Sequence, residues 1–173
     1  MPEVRERIGE APGTPPDSQT VEAVWQDALE GYLPDAPGRL REAVQLRAAT
    51  APLGALQKLV DALPTKEVDP RSAPEWLSVH GALHQALALR GSRIAVYDVR
   101  ETVEAAHASL PSTFLTALHL VGDESCLAPI AAAHKRAKDD ERWRQQLEAA
   151  FNAIVKRDKL SRKPVARLVR TVG

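Results

Sequence analysis

Apolar residues recur at three- and four-residue steps in eight successive segments of the chain. This period places them on one side of an α-helix, so each segment predicts an amphipathic helix. Proline and glycine separate several of the segments, as in LPDAPG at 33–38 and SLPS at 109–112. The apolar stripes run over 21–32, 40–48, 53–63, 77–89, 96–103, 113–121, 126–134 and 143–154. No segment predicts a strand convincingly, and the expected fold class is all-α.

The apolar positions also repeat along the chain. Two pairs of segments superimpose, at offsets of 31 and 43 residues: 86–99 on 117–130, and 52–60 on 95–103. The first alignment pairs Leu89 with Leu120. Such self-similarity predicts a repeated helical hairpin, because a lone hairpin cannot cover its own apolar stripe and is buried by its neighbours.

Over residues 51–159 this pattern resembles the HEAT-repeat superfamily, in which helical hairpins stack into a curved α-solenoid. The segment VGDESCLAPIAAA at 121–133 is similar to the family's Gly-Asp turn followed by a proline-containing first helix. The resemblance implies a HEAT-like α-α superhelix of three to four hairpins. It also implies that the second helix of each hairpin lines the concave face.

Composition divides the chain into three parts. Residues 1–19 contain four prolines and few large apolar residues, so we expect a flexible acidic arm there. Residues 20–158 hold the repeats, and residues 159–173 form a basic tail. The formal net charge is zero, which gives no global argument for nucleic acid. The tail remains a candidate for binding a polyanion or the protein's own acidic arm.

The single cysteine, Cys126, excludes an internal disulfide and favours a protein of the reducing cytoplasm. No signal-peptide pattern opens the chain, and we expect no membrane span. His134 lies eight residues after Cys126. On a helix that spacing is about 12 Å, too far for a cysteine nucleophile and its base.

His80 and His84 are the strongest candidate metal ligands, because a spacing of four places two imidazoles on one side of a helix. Zinc would still require a third ligand, and no cysteine or carboxylate lies nearby in sequence. We therefore expect histidines that face solvent or an interface, and no metal or cofactor. No histidine is followed by glutamate, which excludes the two-iron enzymes known among HEAT-like proteins.

These observations favour a non-catalytic interaction or scaffold protein that binds a macromolecular partner, expected to be a protein, through the solenoid surface. The residues assigned to partner binding are His80, His84, Arg90, Arg142, Arg144, Lys156 and Arg157. The alternative is a HEAT-like enzyme of the DNA glycosylase or chromophore lyase type, or a nucleic-acid-binding module that uses the basic C-terminal end. A regulatory fragment of a larger polypeptide is a third reading, and the oligomeric state stays open.

Overall fold

The computed structural model describes residues 20–63 and 70–160, and within these residues it holds eight α-helices and no strand. The predicted all-α class is therefore confirmed. The helices are α1 (Val21–Leu29), α2 (Gly38–Arg47), α3 (Leu53–Ala62), α4 (Ala73–Leu89), α5 (Val96–Ala105), α6 (Ser112–Val121), α7 (Leu127–Arg136) and α8 (Glu141–Arg157), with a 3₁₀ turn at Glu124–Cys126 before α7. The predicted arm at 1–19 and the tail from residue 161 lie outside the described residues.

Local chemistry sets several of the helix ends. Thr20 accepts a hydrogen bond from the backbone N–H of Ala23 at 3.1 Å, and Asp140 accepts one from that of Trp143 at 3.0 Å. These N-caps satisfy amide groups that the first helical turn leaves unpaired. Gly91 follows α4 with a φ of 69°, the left-handed conformation in which glycine commonly ends a helix.

Consecutive helices pack in pairs, and the pairs contact one another through their second helices. The pairs are α1 with α2, α3 with α4, α5 with α6, and α7 with α8. Helix α4 packs against both α2 and α6, and α6 packs against α8. Among the first helices of the pairs, α1 contacts α3 and α5 contacts α7. The even-numbered helices therefore form a continuous row in chain order.

Arginine side chains at helix ends connect neighbouring helices. Arg90, after α4, donates to the carbonyl oxygens of Ala48 and Ala51 beyond the end of α2, at 3.1 and 2.5 Å. Arg157, at the end of α8, donates in the same way to His119 and Gly122 at the end of α6. Each guanidinium thus binds backbone carbonyl groups at or just beyond the end of the neighbouring helix. The C-terminal ends of these helices consequently lie side by side.

The buried side chains form two hydrophobic clusters. One is built from α1 to α4 and includes Trp25, Leu56 and Leu83, whereas the other is built mainly from α5 to α8 and includes Phe114 and Leu147. Leucine, alanine and valine supply most of both clusters, as the low aromatic content requires. The junction between the two clusters falls where α4 meets α5 and α6.

Two residues at the ends of predicted apolar stripes are exposed, so the prediction is wrong for them. Tyr32 lies beyond α1 and is 69% exposed, and Leu89 at the end of α4 is 68% exposed. None of the helices in residues 20–63 and 70–160 combines the length and the apolar character that a membrane span needs.

Candidate functional site

His80 and His84 lie one turn apart on the inner side of α4, as their spacing predicts. Their ring centroids are 5.1 Å apart. His84 is only 2% exposed, and His80 is half-buried at the edge of the same cluster. The expectation of solvent-facing or interface histidines is therefore wrong for His84. Its imidazole belongs to the interior because α5 and α6 cover this side of α4.

Asp98 of α5 approaches both imidazoles. Its Oδ2 atom lies 2.5 Å from Nε2 of His80 and 2.7 Å from Nε2 of His84, so both rings donate to one carboxylate oxygen. Asp98 sits in the first turn of α5, where the helix dipole favours a negative charge. Sequence reasoning missed this residue because it lies 14 and 18 positions from the two histidines.

Phe114 of α6 closes the cluster from the apolar side. Its ring centroid is 5.3 Å from that of His80, in an edge-to-face arrangement, and 5.7 Å from that of His84. Gly81, between the two histidines, permits this contact because a side chain there would overlap Thr113 and crowd the phenyl ring. The imidazole rings are thus held by packing as well as by hydrogen bonds.

Burial and hydrogen bonding set the charge of this cluster. Burial lowers the pKa of His84 below its ordinary 6.5, although the hydrogen bond with Asp98 opposes that shift. Burial alone would raise the pKa of Asp98, but the hydrogen bonds with His80 and His84 outweigh it and hold that pKa well below its ordinary value. At neutral pH the cluster therefore contains an ionised carboxylate beside a neutral His84.

An open groove of about 490 Å³ lies over the cluster, and His80 and Asp98 contribute to its wall. Its other described lining residues are mostly apolar and include Trp76, Leu77 and Leu110. Glu101 is the second acidic residue of the lining, which includes no lysine or arginine among the described residues. The groove therefore carries negative charge above an apolar floor.

The remaining residues assigned to partner binding are not gathered into this cluster. Arg90 and Arg157 are engaged with helix ends, as described above, while Arg142 and Lys156 are exposed on α8. Arg144 lines a separate groove of about 580 Å³ between α7 and α8. Of the seven residues, only His80 and His84 meet in one site.

Cys126 shows no reactive environment. Its side chain is fully buried, and this burial raises the pKa of the thiol above its ordinary value. A protonated, inaccessible thiol is a poor nucleophile. The interpretation of Cys126 as a small buried apolar residue at the start of a helix is therefore supported by its surroundings.

A second surface, which the sequence did not indicate, lies along the even-numbered helices. Leu46, Leu89 and Leu120 stand at the C-terminal ends of α2, α4 and α6 and are 66%, 68% and 45% exposed. Leu89 borders two grooves, of about 200 Å³ towards α2 and about 520 Å³ towards α6 and α8. Leu89 and Leu120 line these grooves, whereas Leu46 lines neither of them. We call Leu89, Leu120 and the two grooves the leucine face.

The leucine face contains little charge. Its groove residues are alanine, leucine, valine, glutamine, serine, threonine and one histidine, and the single formally charged residue among the described lining is Arg90. Because Arg90 donates to the carbonyl groups of Ala48 and Ala51, its charge is partly satisfied within the fold.

Comparison with protein-family models, with curated proteins and with solved structures finds no match for this chain.

Proposed function

We propose that this chain is a non-catalytic helical-repeat protein of the HEAT-like type, which binds another protein through the leucine face. The observation that carries this proposal is the pair of exposed leucines, Leu89 and Leu120, which line a common groove at corresponding ends of α4 and α6. Isolated exposed apolar residues are common on proteins, whereas exposed leucines that line adjoining apolar grooves are typical of an interaction surface.

The composition of the leucine face favours a protein partner over nucleic acid. Surfaces that bind nucleic acid are rich in lysine and arginine, because phosphate contacts supply much of the affinity. The leucine face offers mainly leucine, alanine and uncharged polar side chains. Depletion of charge at the centre of a patch is instead a property of protein–protein interfaces.

The arrangement of the helices supports the repeat assignment. Leu89 and Leu120, which the repeat alignment pairs, occupy corresponding places at the ends of α4 and α6. Arg90 and Arg157 also make equivalent contacts between neighbouring even-numbered helices. We infer that each hairpin is one copy of a stacked unit and that the leucine face is repeated with it.

Replacement of Leu89 tests this proposal, because Leu89 is shared by both grooves. Proteins captured by the wild-type chain from its native cells would be identified and then titrated by calorimetry against Leu89→Arg and Leu120→Arg. Tyr32→Arg is the matched control, because Tyr32 is equally exposed but lies beyond α1. We expect each leucine variant to weaken binding at least about 10-fold, since an arginine would be buried without a partner, and Tyr32→Arg to bind as the wild type does.

Two results would contradict the proposal. One is unchanged affinity of both leucine variants for every captured protein. The other is DNA binding by the full chain that weakens steeply with salt, which would instead favour the nucleic-acid or glycosylase alternative.

A further inference from the structure

We propose that His80, His84 and Asp98 form a binding site for a divalent transition-metal ion, with Zn²⁺ as the best match. This inference concerns the groove over α4 and α5 and does not depend on the leucine face. It rests on three ligand-type side chains that converge from two helices, and on the negative charge of the groove above them.

The ligand atoms are suited to zinc. Each histidine offers a ring nitrogen and the aspartate offers a carboxylate oxygen, and these three ligand atoms all lie within 4.8 Å of one another. Two imidazoles and one carboxylate are a recurrent set of protein ligands for zinc and for other divalent first-row metals. The third ligand, which the spacing of the histidines alone could not supply, comes from the first turn of α5.

The geometry requires only a small adjustment to admit an ion. With metal–ligand bonds of about 2.0–2.2 Å, ligand atoms of a tetrahedral site are about 3.3 Å apart. The Nε2 atoms of His80 and His84 are now 2.5 and 2.7 Å from Asp98 Oδ2. These two separations, 2.5 and 2.7 Å, would therefore have to open by about 0.6 to 0.8 Å for two bonds to one ion to replace the two hydrogen bonds.

The surroundings favour a cation at this position. Asp98 and Glu101 place two carboxylates at the groove, while the described lining contains no lysine or arginine that would compete for them. Phe114 packs against both imidazoles and closes the apolar side of the cluster, so an ion would reach the ligands from the groove.

The site would leave one coordination position open. Three protein ligands do not complete a tetrahedron, and His80 and Asp98 both reach the wall of the groove. Water or a group from a bound molecule would occupy the fourth position. The ion would also join α4 to α5 at the junction of the two hydrophobic clusters.

Titration of the full chain with Co²⁺ and Zn²⁺ tests the proposal. Co²⁺ should bind at a ratio of one to one and produce the visible absorption of tetrahedral cobalt, and one equivalent of Zn²⁺ should abolish that absorption. Binding of Zn²⁺ should also raise the melting temperature, because the ion binds the folded chain preferentially. We expect His84→Gln and Asp98→Asn each to weaken Zn²⁺ binding at least about 100-fold, since loss of an outer-shell partner alone costs about 10- to 100-fold.

His119→Gln is the matched control, because His119 is exposed on α6 and takes no part in the cluster. It should bind Zn²⁺ as the wild type does. If Asp98→Asn does not fold, His80→Gln replaces the most accessible of the three ligands and gives the same test. Absence of one-to-one binding, or wild-type affinity in the folded His84 and Asp98 variants, would overturn the proposal and leave the cluster as a hydrogen-bonded network only.

Discussion

Gly81 on α4 lies directly against the ring of Phe114 on α6, so that a methyl group at position 81 would come within 3.1 Å of the ring's Cε2 atom. The same methyl group would overlap the hydroxyl of Thr113. This close approach allows Phe114 to reach both His80 and His84. The glycine within HGALH is therefore a packing requirement, since α4 and α6 could not otherwise meet at this distance.

We predict that Gly81→Ala destabilises the fold. Overpacking costs about 1–3 kcal/mol, which exceeds the gain of about 1 kcal/mol that alanine normally brings to a helix. Gly54→Ala is the control, because Gly54 is also helical but its added methyl group would enter open space. Urea unfolding should show a loss of up to about 2 kcal/mol for Gly81→Ala and a gain of up to about 1 kcal/mol for Gly54→Ala. Changes of the same sign in both variants would contradict this account.

The sequence contains enough information for the helices because apolar periodicity is a local property. The stripe through Val96, Val99 and Val103 predicts an inward face, and all three residues are buried in α5. The same reasoning fails at Leu89, which is exposed although it lies in a predicted apolar stripe. The sequence alone does not distinguish a buried leucine from an exposed one at the end of such a stripe. The positions of α6 and α8 determine whether Leu89 is buried or exposed.

The candidate site could be predicted only in part. The spacing of His80 and His84 follows from the period of one helix and was recognised. Asp98 joins them through the packing of α5 beside α4, and no short-range pattern encodes that contact. A third ligand-type residue joins the two histidines only through tertiary structure. The histidine pair alone therefore did not predict a metal site.

The arginine side chains that bind carbonyl groups at helix ends, called arginine caps below, give a second prediction. Arg136, at the end of α7, donates to the carbonyl oxygens of Val103, Glu104 and Ala106 at the end of α5, at 3.3, 2.6 and 3.2 Å. Hydrogen bonds from a charged donor to carbonyl groups at a helix end stabilise a fold by about 1–2 kcal/mol after allowance for solvent. We expect Arg136→Ala and Arg157→Ala each to lose about this much stability in urea unfolding.

The control for both arginine variants is Arg142→Ala on the exposed side of α8. Its stability should stay within about 0.5 kcal/mol of the wild type, as is usual for surface substitutions. Lysine at position 136 should restore only part of the loss, because an ammonium group cannot match the planar fork of the guanidinium. Equal stability of Arg136→Ala and Arg142→Ala would show that the caps contribute nothing measurable.

The His84–Asp98 pair predicts how stability depends on pH. The pKa of His84 is lower in the fold than its ordinary 6.5, so the unfolded chain takes up a proton at this residue before the folded chain does. Acidification through pH 6.5 therefore favours unfolding. The pKa of Asp98 is also lowered, which means that its stabilising contribution is complete above the ordinary 3.8 and is lost as the pH falls below it.

His84→Gln isolates the first of these two effects. In EDTA, which removes adventitious metal, the wild type should lose stability between about pH 7.5 and about pH 5.5, with a contribution from His84 of at most about 1.4 kcal/mol per pH unit. The variant cannot take up that proton, so its stability should change less over the same range. His119→Gln should retain the wild-type pH dependence, because exposed His119 lies outside the cluster. Parallel curves for His84→Gln and the wild type would mean that the buried imidazole is protonated as readily in the fold as in the unfolded chain.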